Sequence, residues 1–392
     1  MKRHTTVALA ATTSISVLLA LAACSTGSGA PGSTGAPGPV SYMTPDGECA
    51  TSPLDGIDFD GSRQIIDDYS QVSAGLLNDE PLPTPADPGT VVAFLNNASP
   101  VAGLMLESVQ RAAEVAGVTV MNIDTGSSAQ SINSAMNSVV ALAPDIVIAE
   151  ALDATFFQDQ LAALEAAGTA IVYGSQPGGE EFGLDESLGG TQASIENGRL
   201  LGAGAINFTC GTATQFVVYN MPEVQFSSIM VEGARDYLSS ACPQCALRVV
   251  DISITDASPA DKIVSDLQAH PETEYFITPA DQFQVGLAEK ASLVGIPNAF
   301  GFGHTSLPIN VQQLADGTQN AGFAVDLDMY MWMQFDEGLR KAQGVFEPYD
   351  DWVRVTQMVG RVLTPANAGD YPGGVFVAQP DLAEQYAKLW RG

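Results

Sequence analysis

Basic residues are scarce in this chain: 15 Lys and Arg stand against 45 Asp and Glu in 392 residues, a formal net charge of -30. Phosphate-backbone binding works through clustered Lys and Arg that release counterions, so nucleic acid is excluded as a partner. A basic patch for anionic lipid is excluded on the same ground. Histidine is scarcer still, with 3 residues. His270 and His304, the two that lie beyond the leader, stand near no second nitrogen or sulfur ligand at metal spacing, and no metal site is expected. Neither a G-x-S-x-G nucleophile elbow nor a G-x-x-x-x-G-K-[ST] phosphate loop occurs. The G-x-G-x-x-G spacing at Gly27, Gly29 and Gly32 has no strand before it and no helix after it, and no cofactor is expected. Long apolar runs are missing too, because Val7 to Ala22 is too short for a membrane span.

What is present begins with a leader. Met1-Lys2-Arg3-His4 is a short basic start, an apolar stretch follows, and Leu21-Ala22-Ala23-Cys24 closes it with small residues. That ending resembles the lipobox of bacterial lipoproteins, which implies a signal peptide over residues 1–23 and a diacylated Cys24. A lipid anchor works by burying acyl chains and needs no basic surface. Residues 24–45 hold five Gly and four Pro and no charge before Asp46, so they are expected to be a disordered tether spanning roughly 25 Å. Residues 46–89 are expected to form an N-terminal extension laid on the first domain. A helix is expected over Ser62 to Leu77, ended by the run Pro81, Pro83, Pro85 and Pro88.

From Thr90 short apolar runs alternate with helical spacing. The first set of strands is Val91 to Leu95, Val118 to Ile123, Asp145 to Ala149 and Ala170 to Tyr173. The second is Gln215 to Tyr219, Leu247 to Ile252, Tyr275 to Thr278 and Asn298 to Phe302. Strands about five residues long, without polar alternation and separated by helices, indicate parallel sheets covered on both faces. The fold class is therefore α/β with two doubly wound lobes. Ligands in such sheets bind beyond the carboxyl ends of the strands, which nominates the loops starting at Asn96, Asp124, Glu150, Gly174, Asn220, Ser253, Pro279 and Gly303.

Phe94-Leu95-Asn96-Asn97, Gly198-Arg199-Leu200-Leu201-Gly202, Ala280-Asp281-Gln282-Phe283 and Gly301-Phe302-Gly303, in this order behind a lipobox, resemble the type I periplasmic binding proteins of sugar importers, the ribose-binding group in particular. The similarity covers about Thr90 to Gly392. It implies two lobes that close on a small-molecule ligand across a three-segment hinge. It also implies docking on an ABC permease driven by a separate ATPase, with the protein a monomer held at the membrane only by its lipid. Lobe 1 would comprise 90–190 and 326–353, and lobe 2 would comprise 191–325 and 354–392. The hinge would cross near Gly189 to Gln192, Ala324 to Asp326 and Val353 to Gln357.

The expected ligand-binding residues are Asn97, Ser99, Glu150, Ser175, Met221, Phe226, Asp281, His304 and Asp326. Structural alternatives exist for them: a cap or Asx turn for Asn97, helix capping for Asp281, an exposed carboxylate for Glu150, core packing for Met221 and Phe226, and a hinge role for Asp326. Sugar-binding relatives usually follow strand four with Asp-Arg, start a second-lobe helix with Arg and carry Gly-Phe-Asp near the end. Here Gly174-Ser175, Ser227-Ser228 and Gly303 stand in those places. The ligand is therefore expected to be sugar-like or a more apolar metabolite. Competing functions are a receptor that presents ligand to a signalling partner, and a secreted hydrolase built on His304 with Ser175. Beyond Cys24, the four residues Cys49, Cys210, Cys242 and Cys245 suit disulfides in an exported chain, with all three connectivities open.

Overall fold

The computed structural model describes residues 40–297 and 299–391. The signal peptide, Cys24 and most of the tether lie outside the described residues. The first lobe is laid out as β1 (Val91–Asn96), α2 (Pro100–Ala116), β2 (Thr119–Asp124), α3 (Ala129–Leu142), β3 (Ile146–Glu150), α4 (Gln158–Ala167) and β4 (Ala170–Gly174), preceded by α1 (Phe59–Tyr69). The second continues with α5 (Thr191–Phe208), β5 (Gln215–Asn220), α6 (Gln225–Ala241), β6 (Ala246–Asp251), α7 (Pro259–Ala269), β7 (Tyr275–Thr278), α8 (Leu287–Leu293), β8 (Gly301–Ser306), α9 (Pro308–Ala315) and β9 (Ala321–Val325). α10 (Leu327–Ala342), α11 (Trp352–Val359), β10 (Gly360–Leu363) and α12 (Leu382–Arg391) close the chain.

Among the described residues, one sheet has the order β2-β1-β3-β4, all parallel, and the other β10-β9-β8-β7-β5-β6, parallel except for β10 against β9. The central strands are buried on both faces because their sequences are unbroken apolar runs: Val92, Phe94, Ile146 and Ile148 face the core shared with α2 and α10, while Ala93, Leu95, Val147 and Ala149 face that under α3 and α4. Each fully buried Val, Leu, Ile or Phe among them contributes about 1.5–3 kcal/mol. The chain passes to the second sheet before α5, returns before α10 and goes forward again through α11, so α10 covers β3 and β4 of the first sheet.

Three expectations about the chain's ends need correction. Val40, Tyr42 and Met43 are not free tether: they pack on the second lobe, with Met43 N donating to Phe208 O at 2.9 Å and Tyr42 OH to Glu274 O at 2.8 Å. The extension's helix is α1, shorter than expected, and it lies on the second lobe rather than the first. Phe59, Ile66 and Tyr69 fill that lobe's core, and Tyr69 OH donates to Glu196 Oε1 at 2.5 Å. The Cys49–Cys210 disulfide ties the same segment down, and the other bridge is the local Cys242–Cys245. Finally, α12 was expected in the second lobe but packs on α2, where Tyr386, Leu389 and Trp390 join the first-lobe core. Its strongly one-sided apolar face needs a partner, and the α2 surface supplies it.

Candidate functional site

The carboxyl ends of the two sheets approach one another where Gln176 Nε2, just after β4, donates to Gln225 Oε1 at the start of α6 at 3.0 Å. Backbone strain gathers at these ends. Of the non-glycine residues with positive φ, Ala98 (62°), Ala151 (52°) and Ser175 (53°) follow β1, β3 and β4, and Thr305 (60°) lies in β8. A non-glycine residue in this region pays roughly 1–2 kcal/mol, and such residues persist where the surroundings over-determine them, often at ligand sites.

In the first lobe, Glu150 ends β3 in register with Gly174 of β4. Gly174 is required: a Cβ there would collide with the Glu150 carboxylate and the Gln334 amide. Ser175 Oγ donates to Glu150 Oε2 at 2.5 Å and lies 2.8 Å from Tyr330 OH, which donates to Leu188 O at 2.9 Å. Burial pushes the Glu150 carboxyl up to about 8, against the opposing effect of the Ser175 and Gln334 groups beside it. Gln334 brings its amide next to Glu150 Oε1, yet that oxygen and both amide atoms lack a well-formed hydrogen bond to any protein group. One turn further along α10, buried Glu337 accepts from Ser187 Oγ at 2.6 Å and pairs with Lys341 Nζ at 2.9 Å. Lys341 is thereby committed, with Asp185 at 3.1 Å as its second acid.

The second lobe repeats the plan and completes it. Asp281 follows β7, and a Cβ on Gly303 of β8 would collide with its carboxylate. Gln319 Nε2 donates to both Asp281 oxygens at 2.7 and 2.8 Å, Gln284 Nε2 donates at 2.7 Å, and Ser306 Oγ donates as well. Burial raises this carboxyl to about 7 against those bonds. His304 stacks on Phe323 at 5.0 Å, sets Nδ1 2.8 Å from Thr305 Oγ1 and leaves Nε2 unpartnered. Burial drives its pKa down to about 3, so the ring is neutral at physiological pH.

The other expected residues fall into structural roles. Asn97 Oδ1 accepts from Ser99 N at 3.0 Å in an Asx turn, and Ser99 caps α2 through Ala102 N. Met221 is a core residue rather than a cleft residue, packed with Ile252 and Phe283. Phe226 packs against both second-lobe cores. Asp326 caps α10 through Asp328 N and Met329 N and takes Ala378 N at 2.7 Å, so both its oxygens serve the passage from β9 into α10. Tyr330 and Gln334 were missed. They sit four apart on α10, on one face, in a stretch whose methionines made the whole helix read as core. A surface cavity of about 490 Å³ lies elsewhere, at the amino ends of β7 and β8, beside Tyr275 and Phe300.

The strand order, the cleft between two parallel sheets and the polar residues at their carboxyl ends place the chain in a family: it belongs to the periplasmic binding protein domain family, whose model matches residues 91–343. Its role is thus that of a solute-binding protein, in a family that works outside the cytoplasm. Solved structures with the same fold include an ABC transporter solute binding protein from Mycobacterium smegmatis with bound glycerol, 17% identical, covering 72% of this chain and 96% of that one, with a TM-score of 0.59. The arabinose-transporter binding protein from Shewanella sp. ANA-3, bound to L-arabinofuranose, is 16% identical over 72% and 94% of the two chains, with a TM-score of 0.58. A LacI-type transcriptional regulator from Bacteroides fragilis is 14% identical over 72% and 99%, with a TM-score of 0.57. A comparison with curated protein sequences returns no significant match.

Proposed function

We propose that this chain is the solute-binding component of an ABC importer, held outside the cytoplasm by a lipid on Cys24, and that it captures a small organic ligand between its lobes by hinge closure. The observation that supports it best is the unfinished polar cluster at the end of the first sheet. Glu150 Oε1 and the Gln334 amide are buried side by side without a well-formed hydrogen bond, next to a strained Ser175. Leaving a buried polar group unpaired costs about 1–3 kcal/mol, so a ligand hydroxyl that both donates and accepts is well matched to this place. That favours a sugar or polyol over an apolar metabolite. Delivery to a permease with a separate ATPase completes the proposal.

A thermal-shift screen over sugars, polyols and apolar metabolites tests it, because a ligand that binds only the folded state adds RT ln(1+[L]/Kd) of stability. Polyhydroxylated compounds are expected to raise Tm, and Glu150→Gln is expected to weaken the shift. A panel in which only apolar compounds act would overturn the choice of ligand class, and turnover of any compound would overturn the binding role.

A further inference from the structure

The family match spans 91–343, so residues 40–90 and 344–391 lie outside it. Both of these segments run from one lobe to the other. The leading one is fastened to the second lobe by Cys49–Cys210 and by α1 on α5. It then enters the first-lobe core at Leu76, Leu82 and Ala86, where Leu82 N donates to Leu389 O at 2.8 Å and Ala86 N to Trp390 O at 2.9 Å. The trailing one leaves β10 in the second sheet and ends as α12 on α2 of the first lobe. Two passages are thus added to the three that precede α5, precede α10 and run through α11.

The added passages are laced to the hinge itself. Arg361 Nε donates to Ser70 O at 2.7 Å, and Ser73 Oγ to Gln357 O at 3.1 Å. Gln379 Nε2 donates to Ser73 O at 3.4 Å and to Gly75 O, which joins the two added passages to each other. Asp326 gathers the rest: its N donates to Val359 O at 2.8 Å, and its Oδ2 takes Ala378 N at 2.7 Å. A hinge moves freely when a few residues absorb the change in φ and ψ. Here two further segments, each anchored on both lobes, run beside the hinge and are hydrogen-bonded to it.

We propose that residues 40–90 and 364–391 are straps that restrict how far the lobes separate, so that the ligand-free protein stays near one interlobe angle. By limiting separation, such restraint keeps the free protein closer to the closed form and raises the fraction of molecules competent to bind. The proposal concerns the free protein and does not depend on what the ligand is.

Spin labels carried by non-natural residues at Ser138 on α3 and Ser265 on α7, both exposed, report the interlobe distance in the absence of ligand. The wild-type protein is expected to give one narrow distance distribution. Gln379→Ala removes the bonds that tie the straps to each other beside the hinge, leaving those of Leu82 and Ala86 to α12 within the first lobe, and is expected to broaden it by about twofold. Removing the anchor by Cys49→Ser with Cys210→Ser is expected to do the same by an independent route. A broad distribution in the wild type would overturn the proposal, as would folded variants, checked by circular dichroism, whose distributions match the wild type. Either of these results leaves solute binding itself untouched, since no ligand enters the measurement.

Discussion

The two lobes build the same polar unit at the ends of their sheets and leave it in different states. Each has an acid after one strand, a glycine on the next strand whose missing side chain makes room for it, a glutamine amide and a serine hydroxyl beside it. In the second lobe Ser306, Gln284 and Gln319 saturate Asp281. In the first lobe Ser175 serves one oxygen of Glu150, while the other oxygen and the Gln334 amide lie side by side without a well-formed hydrogen bond. Under the proposed function, similar chemistry does two jobs: a finished unit holds β7, β8 and the β9 approach together, and an unfinished one serves the ligand. The glycines at 174 and 303, where sugar-binding relatives carry Asp, do not empty the cleft of acids. They pass the acid to the neighbouring strand.

Truncation separates the two units most strongly. Asp281→Ala strands three buried donors and is expected to cost about 3 kcal/mol in urea denaturation, whereas Glu150→Ala removes an acid with one bonded oxygen and is expected to cost about 1 kcal/mol. Equal losses would erase the distinction.

Proton linkage gives the next largest effect. Glu150 and Asp281 hold their protons up to about 8 and about 7, well above their ordinary values of 4.5 and 3.8. A raised carboxyl pKa means that the folded state binds more protons than the unfolded chain in this range, so stability falls as pH rises through it. His304, pushed to about 3, has the opposite bearing and removes stability as pH falls below its ordinary 6.5. Between pH 8 and 6.5 the carboxyls act alone among these three, and Tm is expected to rise as pH is lowered across that window. Asp281→Asn should flatten the slope near 7 and Glu150→Gln near 8; a slope unchanged in both variants would show that other groups set it.

Much of the scaffold was legible in the chain because local pattern decides it: short β-branched runs such as Ile146-Val147-Ile148-Ala149 between helical stretches favour strands buried on two faces. What was illegible depends on distant partners. The apolar face of α1 does not say which lobe it will cover, and it is the bridge from Cys49 across 161 residues that goes with the answer. Glu150 and Ser175 were readable as loop residues at strand ends. The saturation of Asp281 was not, since Ser306 and Gln319 arrive 25 and 38 residues later. Tyr330 and Gln334 were hidden by Met329, Met331 and Met333, although helical spacing puts the two polar residues on one face.

The smallest effect sharpens the comparison through the backbone. The loops after β1, β3 and β4 hold three non-glycine residues in left-handed conformation, against Thr305 at the corresponding edge of the second sheet. If this strain serves ligand contact, relieving it should help the fold and not the function. Ala151 is exposed, and its positive φ suits glycine, which loses nothing sterically there but gives up more freedom on folding. Relief of roughly 1–2 kcal/mol against an entropic cost of roughly 0.5–1 kcal/mol leaves a net gain of between nothing and about 1.5 kcal/mol for Ala151→Gly. Chemical denaturation is expected to detect no loss of stability, while the ligand-induced Tm shift falls because the loop no longer holds Glu150 in place. A shift as large as that of the wild type would mean that the strain merely follows from closing the β3 loop.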